Sequence, residues 1–271
     1  MQSIKGSSFE IGENTPLTFI LGPCVIEGEE KALQACAFIQ QVTKELGISF
    51  IYKSSYDKAN RSSLDSYRGP GLEKGLKILK KVKNTFKVPI FTDVHTPEEA
   101  LQAGEVCDFL QVPAFLCRQT DLLIACGKTQ KPISLKKGQF LAPWDMEAAI
   151  QKITAQGNHQ VLLTERGTSF GYNNLVADLR SIPIMQELGY PVCFDATHSL
   201  QLPGKDKKES GGDSRFVPYL AKAAVAAGCN AIYMETHPNP KEALSDKKTQ
   251  LPFSKLKKLL QTCLQIQKAI K

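Results

Sequence analysis

The sequence contains no long apolar segment. Nowhere in its 271 residues does an uninterrupted apolar run approach the ~20 residues that a membrane-spanning helix needs. The first six residues, Met-Gln-Ser-Ile-Lys-Gly, lack the apolar core of a secretory signal. We therefore expect a cytoplasmic protein with no membrane partner.

The cysteines lack the spacing of a redox or zinc motif. The chain has eight of them, and no two are separated by two residues, which is the spacing typical of those motifs. In a reducing compartment disulfides are rare, so we expect most of these thiols to be small core residues.

The positive charge lacks the pattern of a nucleic-acid site. The formal net charge is +7, and much of it falls on one predicted helix. That helix carries Lys74, Lys77, Lys80, Lys81, Lys83 and Lys87. Because no aromatic residues are interleaved with these lysines, a solvated helix face explains them better than a nucleic-acid partner does.

Short apolar runs alternate with segments of helical period eight times along the chain. The predicted strands lie at 17–21, 49–53, 89–93, 109–112, 132–136, 160–164, 191–195 and 231–235. The predicted helices lie at 29–46, 72–86, from 96 onward, 118–126, 144–155, 175–188, 216–227 and 253–269. This alternation predicts parallel strands joined by crossover helices.

A closed barrel fits the count of strands and helices without remainder. We predict one α/β domain over residues 1–271, a (β/α)8 TIM barrel with residues 1–16 as a short N-terminal cap. The alternative is an open, doubly wound sheet. Such a sheet more often has a Gly-x-Gly-x-x-Gly turn after its first strand, whereas residues 22–27 read Gly-Pro-Cys-Val-Ile-Glu.

Polar residues mark the ends of the predicted strands, where a barrel gathers its chemistry. From the first unit to the eighth they are Cys24, Lys53, Asp93, Gln111, Lys136, Arg166, His198 and Glu235. Ordinary polar loops do not explain Lys53 and Lys136, which follow directly on apolar runs, or Arg166, which lies just past the end of the predicted strand 160–164. These positions therefore predict an active site at the barrel mouth.

Four cations, Lys53, Lys58, Lys136 and Arg166, should converge at that mouth. So many positive charges repel one another unless a multiply charged anion lies among them. We therefore expect a substrate that carries a phosphate and a carboxylate. The stretch 52–63, with its three cations and four serine hydroxyls around Lys58, fits the same kind of ligand.

Cys24, His198 and Glu235 belong to units one, seven and eight, which are neighbours only if the barrel closes. A thiol, an imidazole and a carboxylate together suggest a divalent transition metal, for which Asp246 could be the fourth ligand. The alternative is a core thiol beside a hydrogen-bonded His–Glu pair.

Two loops stay open on sequence alone. Residues 166–174 fit a substrate loop or a plain Gly-rich turn, and residues 204–215 fit a lid or an unstructured loop. His95 and His159 have no supporting neighbours in sequence, so we assign both a structural role.

Several segments together resemble a known family. They are Gly22–Cys24, Tyr52–Ser55, Lys58–Ser63, Gln111–Leu116, Lys136–Phe140, Arg166–Gly167, Phe170–Tyr172, Asp195–Ser199 and Glu235–Pro238. In order, and over nearly the whole chain, they resemble the 3-deoxy-D-manno-octulosonate 8-phosphate synthases. The resemblance implies condensation of phosphoenolpyruvate with D-arabinose 5-phosphate and water, which releases phosphate, in lipopolysaccharide biosynthesis. It also implies a homotetramer.

The resemblance assigns the substrate-binding residues. Phosphoenolpyruvate would be bound by Lys53, Ser55, Lys58, Gln111, Ala114, Lys136 and Arg166. Arabinose 5-phosphate would be bound by Asn60, Arg61 and Ser62, with Arg61 and Ser62 at its phosphate. The implied catalytic residues are Lys58, Asp93, Lys136 and His198.

The resemblance also implies metal dependence. Metal-free members carry Asn at the position of Cys24, so the thiol favours a metal held by Cys24, His198, Glu235 and Asp246. Zn, Fe(II) or Mn(II) suits this donor set. One departure from the family is that Asp246 precedes Lys247-Lys248, where many relatives have a glycine after the aspartate.

Two other activities remain as alternatives. Aldoheptulosonate-phosphate synthases resemble the chain less, because they typically have a Lys-Pro-Arg-Thr type of loop where residues 58–62 read Lys-Ala-Asn-Arg-Ser. A Schiff-base aldolase would use Lys53 or Lys136 as its nucleophile. Such enzymes typically carry the lysine on strand six, which ends here in Arg166.

Overall fold

Eight parallel strands form a closed barrel in the computed structural model, which describes residues 1–6, 8–61, 63–204 and 211–270. The strands are β1 (Thr18–Gly22), β2 (Phe50–Lys53), β3 (Ile90–Asp93), β4 (Phe109–Val112), β5 (Ile133–Lys136), β6 (Val161–Glu165), β7 (Val192–Asp195) and β8 (Ala231–His237). Each pairs with the next along the chain, and β8 returns to β1 with Glu235 opposite Gly22. The predicted (β/α)8 barrel is confirmed.

A helix follows each strand and packs on the outside of the barrel. The helices are α1 (Glu29–Glu45), α2 (Leu72–Phe86), α3 (Pro97–Val106), α4 (Thr120–Lys128), α5 (Met146–Thr154), α6 (Ser181–Glu187), α7 (Val217–Ala226) and α8 (Phe253–Ile270). The start of α3 shows how the sequence sets a boundary. The Thr96 hydroxyl accepts the Glu99 amide hydrogen at 3.3 Å, and Pro97 occupies the first turn, where its missing N–H costs nothing.

A short hairpin closes the N-terminal end of the barrel. Ile4–Lys5 pairs antiparallel with Glu10–Ile11. Ile4, Phe9 and Ile11 pack in one cluster with residues of the barrel interior, including Phe109. The hairpin therefore fills the N-terminal end of the barrel with apolar side chains, and the polar residues lie at the C-terminal end.

The strands approach each other closely at that other end. A Cβ atom built on Gly22 would lie 1.9 Å from the carbonyl oxygen of Lys53. Glycine therefore lets the end of β1, just before Cys24, sit against the end of β2, which carries Lys53.

The predicted helix at 175–188 is wrong over its first part. Leu175–Val176 pairs antiparallel with Thr168–Ser169, and α6 begins only at Ser181. The turn between the two short strands uses positive φ at Gly171 (74°) and Asn173 (56°), which helical backbone does not allow. The loop after β6 is therefore a hairpin.

Other short strands carried no signal in the sequence. Gln201–Leu202 pairs with Gly211–Gly212, and Leu251–Pro252 extends the sheet beside the end of β8. In the loop at 204–215, for which the sequence left a lid and an unstructured loop as alternatives, residues 205–210 lie outside the described part of the chain. The predicted substrate residue Ser62 also lies outside it.

The structure bears on the expectations about the cysteines and about a membrane-spanning helix. All eight cysteines are buried and none forms a disulfide. Among the described residues, no helix is both long and apolar enough to cross a membrane.

Candidate active site

A polar cavity opens at the C-terminal ends of the strands. Most of the predicted substrate residues line it: Lys53, Lys58, Asn60, Arg61, Gln111, Ala114, Lys136 and Arg166. Ser55 lies just behind this wall, where its hydroxyl accepts a hydrogen bond from Lys53 Nζ at 2.8 Å. The mouth therefore brings together the described members of the predicted substrate set.

Each lysine of this cavity lies near one protein carboxylate. The pairs are Lys53 Nζ with Asp93 Oδ1 at 3.3 Å, Lys136 Nζ with Asp195 Oδ2 at 2.6 Å and Lys58 Nζ with Glu235 Oε1 at 3.7 Å. The inference that the cations require a substrate anion to offset their repulsion is therefore too strong. Three of the four already have protein counter-charges.

Arg166 has a donor nitrogen with capacity left for a ligand. Its Nη2 donates to Gln201 Oε1 at 2.7 Å, whereas Nη1 is buried and has no partner among the described residues. Gln139 also lines the cavity, and its Oε1 is likewise buried with no hydrogen-bond partner among the described residues. Buried polar atoms left unpaired are costly, so these two atoms mark where a polar ligand fits.

His95 ties the Asp93 carboxylate to a second acid. Its Nε2 lies 3.3 Å from Asp93 Oδ2, and its Nδ1 lies 3.0 Å from Glu99 Oε2. Burial alone would lower the pKa of His95, but the two carboxylates outweigh burial and raise it to about 9. Burial would likewise raise the pKa of Asp93, yet Lys53 and His95 hold it well below its usual range. Asp93 is thus a fixed carboxylate beside Lys53.

Asp195 connects the cationic wall to His198. Its Oδ2 lies 2.8 Å from His198 Nδ1, in addition to its contact with Lys136. Its Oδ1 accepts the amide hydrogens of Thr197 at 3.2 Å and His198 at 2.9 Å. The imidazole is therefore held with Nε2 turned toward Glu235, 3.4 Å from Oε1.

Three of the four predicted metal ligands form one cluster. Cys24, Glu235 and Asp246 each offer a ligand atom, and these atoms all lie within 4.8 Å of one another. Cys24 Sγ donates to Asp246 Oδ2 at 3.0 Å. His198 borders the cluster through Glu235. The group could hold a metal ion.

The electrostatics of the cluster fit a cation. Glu235 Oε2 is buried without a hydrogen-bond partner among the described residues. Burial, and then the charges of Asp246 and Glu235, raise the pKa of the Cys24 thiol well above its usual value. A divalent cation would offset this crowding of acids and favour the thiolate. A histidine whose Nδ1 is held by a carboxylate, as His198 is by Asp195, is typical of a metal ligand.

Arg61 lies between this cluster and the outer part of the cavity. Its Nη2 donates to the Ser245 hydroxyl, and its Nη1 is 3.7 Å from Asp246 Oδ2. Asn60, beside it, is exposed. The two side chains stand where a ligand entering the mouth would meet them.

Three lining or supporting residues were missed by sequence reasoning: Gln139, Asp195 and Gln201. Asp195 could have been found, because it ends an apolar run as Asp93 does. Gln139 lies in the loop after β5 and Gln201 in the short strand Gln201–Leu202, and no sequence pattern distinguishes either residue from other amides.

The chain is similar to known proteins over nearly its whole length. Residues 2–271 match the model of the DAHP synthetase I family. The chain is 55% identical over 260 residues to the 2-dehydro-3-deoxyphosphooctonate aldolase of Protochlamydia amoebophila, a match that covers 96% of this chain and 94% of the relative. It is 52% identical to the protein of that name from Francisella tularensis subsp. holarctica, over 99% of this chain and 98% of the relative. The corresponding Legionella pneumophila (strain Corby) protein is 55% identical over 94% and 93% of the two chains.

Proposed function

The chain belongs to the DAHP synthetase I family, and we propose that it condenses phosphoenolpyruvate with D-arabinose 5-phosphate. The products are 3-deoxy-D-manno-octulosonate 8-phosphate and phosphate, and one water is consumed. The observation that carries the proposal is the juxtaposition of a cationic wall with the Cys24–Glu235–Asp246 cluster, which reaches the same cavity through Asp246. The names of the relatives favour an eight-carbon product over the seven-carbon one.

Phosphoenolpyruvate fits the wall formed by Lys53, Lys136 and Arg166. Its carboxylate and phosphate are oxyanions, which charge-assisted donors bind best. Arg166 Nη1 has no hydrogen-bond partner among the described residues and can donate to such an oxyanion. Lys136 and Lys53 are each held by a carboxylate, so they are positioned before the ligand arrives.

Arabinose 5-phosphate would extend outward from that wall toward Asn60 and Arg61, with Ser62 beside them in the sequence. A guanidinium binds a phosphate through two parallel hydrogen bonds. To do so, Arg61 must leave Ser245 and Asp246, with which it interacts here. Binding of the sugar phosphate would therefore rearrange the edge of the metal-binding cluster.

The reaction needs no covalent bond to the protein. The enol carbon of phosphoenolpyruvate attacks the sugar aldehyde, water adds to the middle carbon, and the C–O bond to phosphate breaks. Positive charge develops at that carbon and negative charge on the aldehyde oxygen, and fixed charges stabilise both. We assign the first charge to the carboxylate of Asp93, which lies beside Lys53 of the phosphoenolpyruvate wall. Lys58, 3.7 Å from Glu235, would give a proton to the aldehyde oxygen. Burial lowers the pKa of Lys58, but Cys24, Glu235 and Asp93 outweigh burial and raise it, so the lysine carries that proton.

Cys24, His198, Glu235 and Asp246 would hold a divalent cation, with Zn, Fe(II) and Mn(II) as the candidates. Such a cation supplies Lewis acidity, either to a water or to the aldehyde oxygen. His198 is oriented for this role by Asp195, and Asp246 by the amide of Gln201, which donates to its Oδ1 at 2.6 Å.

We extend the proposal to assembly and location, as a homotetramer in the cytoplasm. Light scattering of the purified protein measures its mass directly, and fractionation of cells that produce it measures its location. A particle of 29.8 kDa would be the monomer and would contradict the tetramer.

Phosphate release tests the function. We expect the purified, metal-loaded protein to release phosphate when phosphoenolpyruvate and arabinose 5-phosphate are both present, and not with either alone. Erythrose 4-phosphate, the shorter acceptor of an aldoheptulosonate synthase, is the matched control and should be a poor substrate. Efficient turnover of erythrose 4-phosphate and not of arabinose 5-phosphate would contradict the proposal.

A further inference from the structure

A second pair of charged residues lies directly behind the phosphoenolpyruvate wall. Lys137 and Glu165 adjoin Lys136 and Arg166 in sequence, at the ends of the neighbouring strands β5 and β6. Successive side chains of a strand point to opposite sides, so this pair faces away from the cavity. Lys137 Nζ lies 3.6 Å from Glu165 Oε2, and each side chain is 1% exposed.

Burial of these charges is not explained by stability. Two ions lose their hydration when buried, and apolar residues of similar size are often equally stabilising. Neither residue lines the cavity, so neither contacts the substrates.

The other contacts of the pair indicate what it does. Lys137 Nζ donates to the Leu141 carbonyl at 3.3 Å and to the Thr168 hydroxyl at 3.0 Å. Glu165 Oε1 accepts the Gly167 amide hydrogen at 2.6 Å. Gly167 has a φ of 93°, a conformation that other residues rarely adopt. The pair therefore binds the loop after β5 and the loop after β6 to each other.

Each of those two loops carries a buried polar atom of the cavity wall that has no hydrogen-bond partner among the described residues. Arg166 stands between Glu165 and Gly167, and its Nη1 is one such atom. Gln139, whose Oε1 is another, lies two residues after Lys137, and its carbonyl accepts the Ser169 amide hydrogen at 3.0 Å. Any shift of one loop against the other would move Arg166 relative to Gln139 and Lys136.

We propose that Lys137 and Glu165 are positioning residues of the phosphoenolpyruvate site, which hold Arg166 and Gln139 in register with Lys136. The inference rests on the proposed function. Lys137 and Glu165 do not contact phosphoenolpyruvate themselves but fix the positions of the side chains that bind it. The arabinose 5-phosphate end of the cavity, at Asn60 and Arg61, is carried by a different loop and does not depend on it.

The test is the double variant Lys137→Met/Glu165→Leu, which replaces the pair with apolar residues of similar size. We expect its thermal midpoint to fall by only a few degrees, since the buried charges disappear together while the Gly167 amide loses its acceptor. The KM for phosphoenolpyruvate should rise about tenfold or more, because small misplacements of binding groups are costly. The KM for arabinose 5-phosphate should change less than about twofold. A purely structural pair would change both constants together or neither.

Two further variants complete the test. Lys83→Met removes a cation that pairs with Asp108 at 2.8 Å on the outside of the barrel, and it should change neither KM. If the double variant does not fold, Thr168→Val decides, because it removes only the hydroxyl that Lys137 contacts. We expect about a threefold rise in the KM for phosphoenolpyruvate from that loss.

The outcomes separate the inference from the function. Active wild-type protein with an unchanged KM for phosphoenolpyruvate in the folded variants would overturn the inference alone. Wild-type protein that releases no phosphate from the two substrates would overturn the proposed function, and the inference with it.

Discussion

Replacing Asp195 with asparagine should disable the site without removing any residue that contacts substrate. In the native protein, Asp195 Oδ2 meets Lys136 Nζ at 2.6 Å and His198 Nδ1 at 2.8 Å, while Oδ1 accepts hydrogen bonds from backbone amides. Asparagine keeps the Oδ1 acceptor. At the Oδ2 position, however, it presents an NH2 group, which repels the lysine and cannot accept a hydrogen bond from the imidazole.

The magnitude follows from burial. Asp195 is fully buried, and breaking a buried ion pair on one side costs about 3–5 kcal/mol because the remaining charge has no partner. We expect Asp195→Asn to lose roughly that much free energy of unfolding in urea at pH 7. Its kcat/KM for phosphoenolpyruvate should fall roughly 10- to 100-fold, as when the partner of a ligating histidine is removed.

Glu45→Gln is the matched control for Asp195→Asn. It makes the same chemical change in an exposed ion pair with Lys257, far from the cavity, and it should leave kinetics unaltered. The reasoning would be refuted if the free energy of unfolding of Asp195→Asn lay within about 1 kcal/mol of the wild-type value and its KM for phosphoenolpyruvate were unchanged.

Four further predictions concern single groups of the site. Arg61→Ala should raise the KM for arabinose 5-phosphate far more than that for phosphoenolpyruvate in steady-state kinetics, and equal rises would count against its assignment. Arg166→Ala should lose about 1.5–3 kcal/mol of binding, which is roughly a 10- to 150-fold loss of kcat/KM for phosphoenolpyruvate, and wild-type kinetics would remove it from the site. Chelation should abolish turnover and added divalent metal restore it, while Cys24→Asn should bind metal poorly by elemental analysis yet keep some activity in chelator. The pKa of His95 is about 9 when folded and about 6.5 when unfolded, so its contacts stabilise the fold fully below pH ~6.5 and lose this effect as the pH rises through ~9. The free energy of unfolding in urea should therefore be higher for the wild type than for His95→Gln by a larger margin at pH 6 than at pH 10. An equal margin at both pH values would refute the pairing of His95 with the two carboxylates.

The barrel itself was predictable from local pattern. Eight apolar runs of strand length, each followed by a helical segment, leave little choice but parallel strands with crossovers. Pro97 and Thr96 show that even a helix start can be read, because the capping chemistry is local. The hairpin after β6 could not be read. Leu175 and Ile182 have helical spacing, but the backbone pairs with Thr168–Ser169 instead.

The sequence predicted which residues form the site but not which of them contact one another. The strand-end rule identified Lys53, Lys136 and Arg166, since a polar residue after an apolar run must leave the strand at the mouth. It could not show that Asp195 neutralises Lys136, because that contact depends on the distance between β5 and β7 across the barrel. Gln201 was invisible for the same reason, since its neighbour Asp246 comes from the loop after β8.

One isotope measurement tests the central claim most directly. Phosphoenolpyruvate labelled with oxygen-18 in the C–O–P bridge is given to the metal-loaded protein with arabinose 5-phosphate, and both products are analysed by mass spectrometry. We expect one phosphate for each 3-deoxy-D-manno-octulosonate 8-phosphate formed, with the label in the released phosphate, because the C–O bond breaks. Label retained in the eight-carbon product, or no such product at all, would contradict the account.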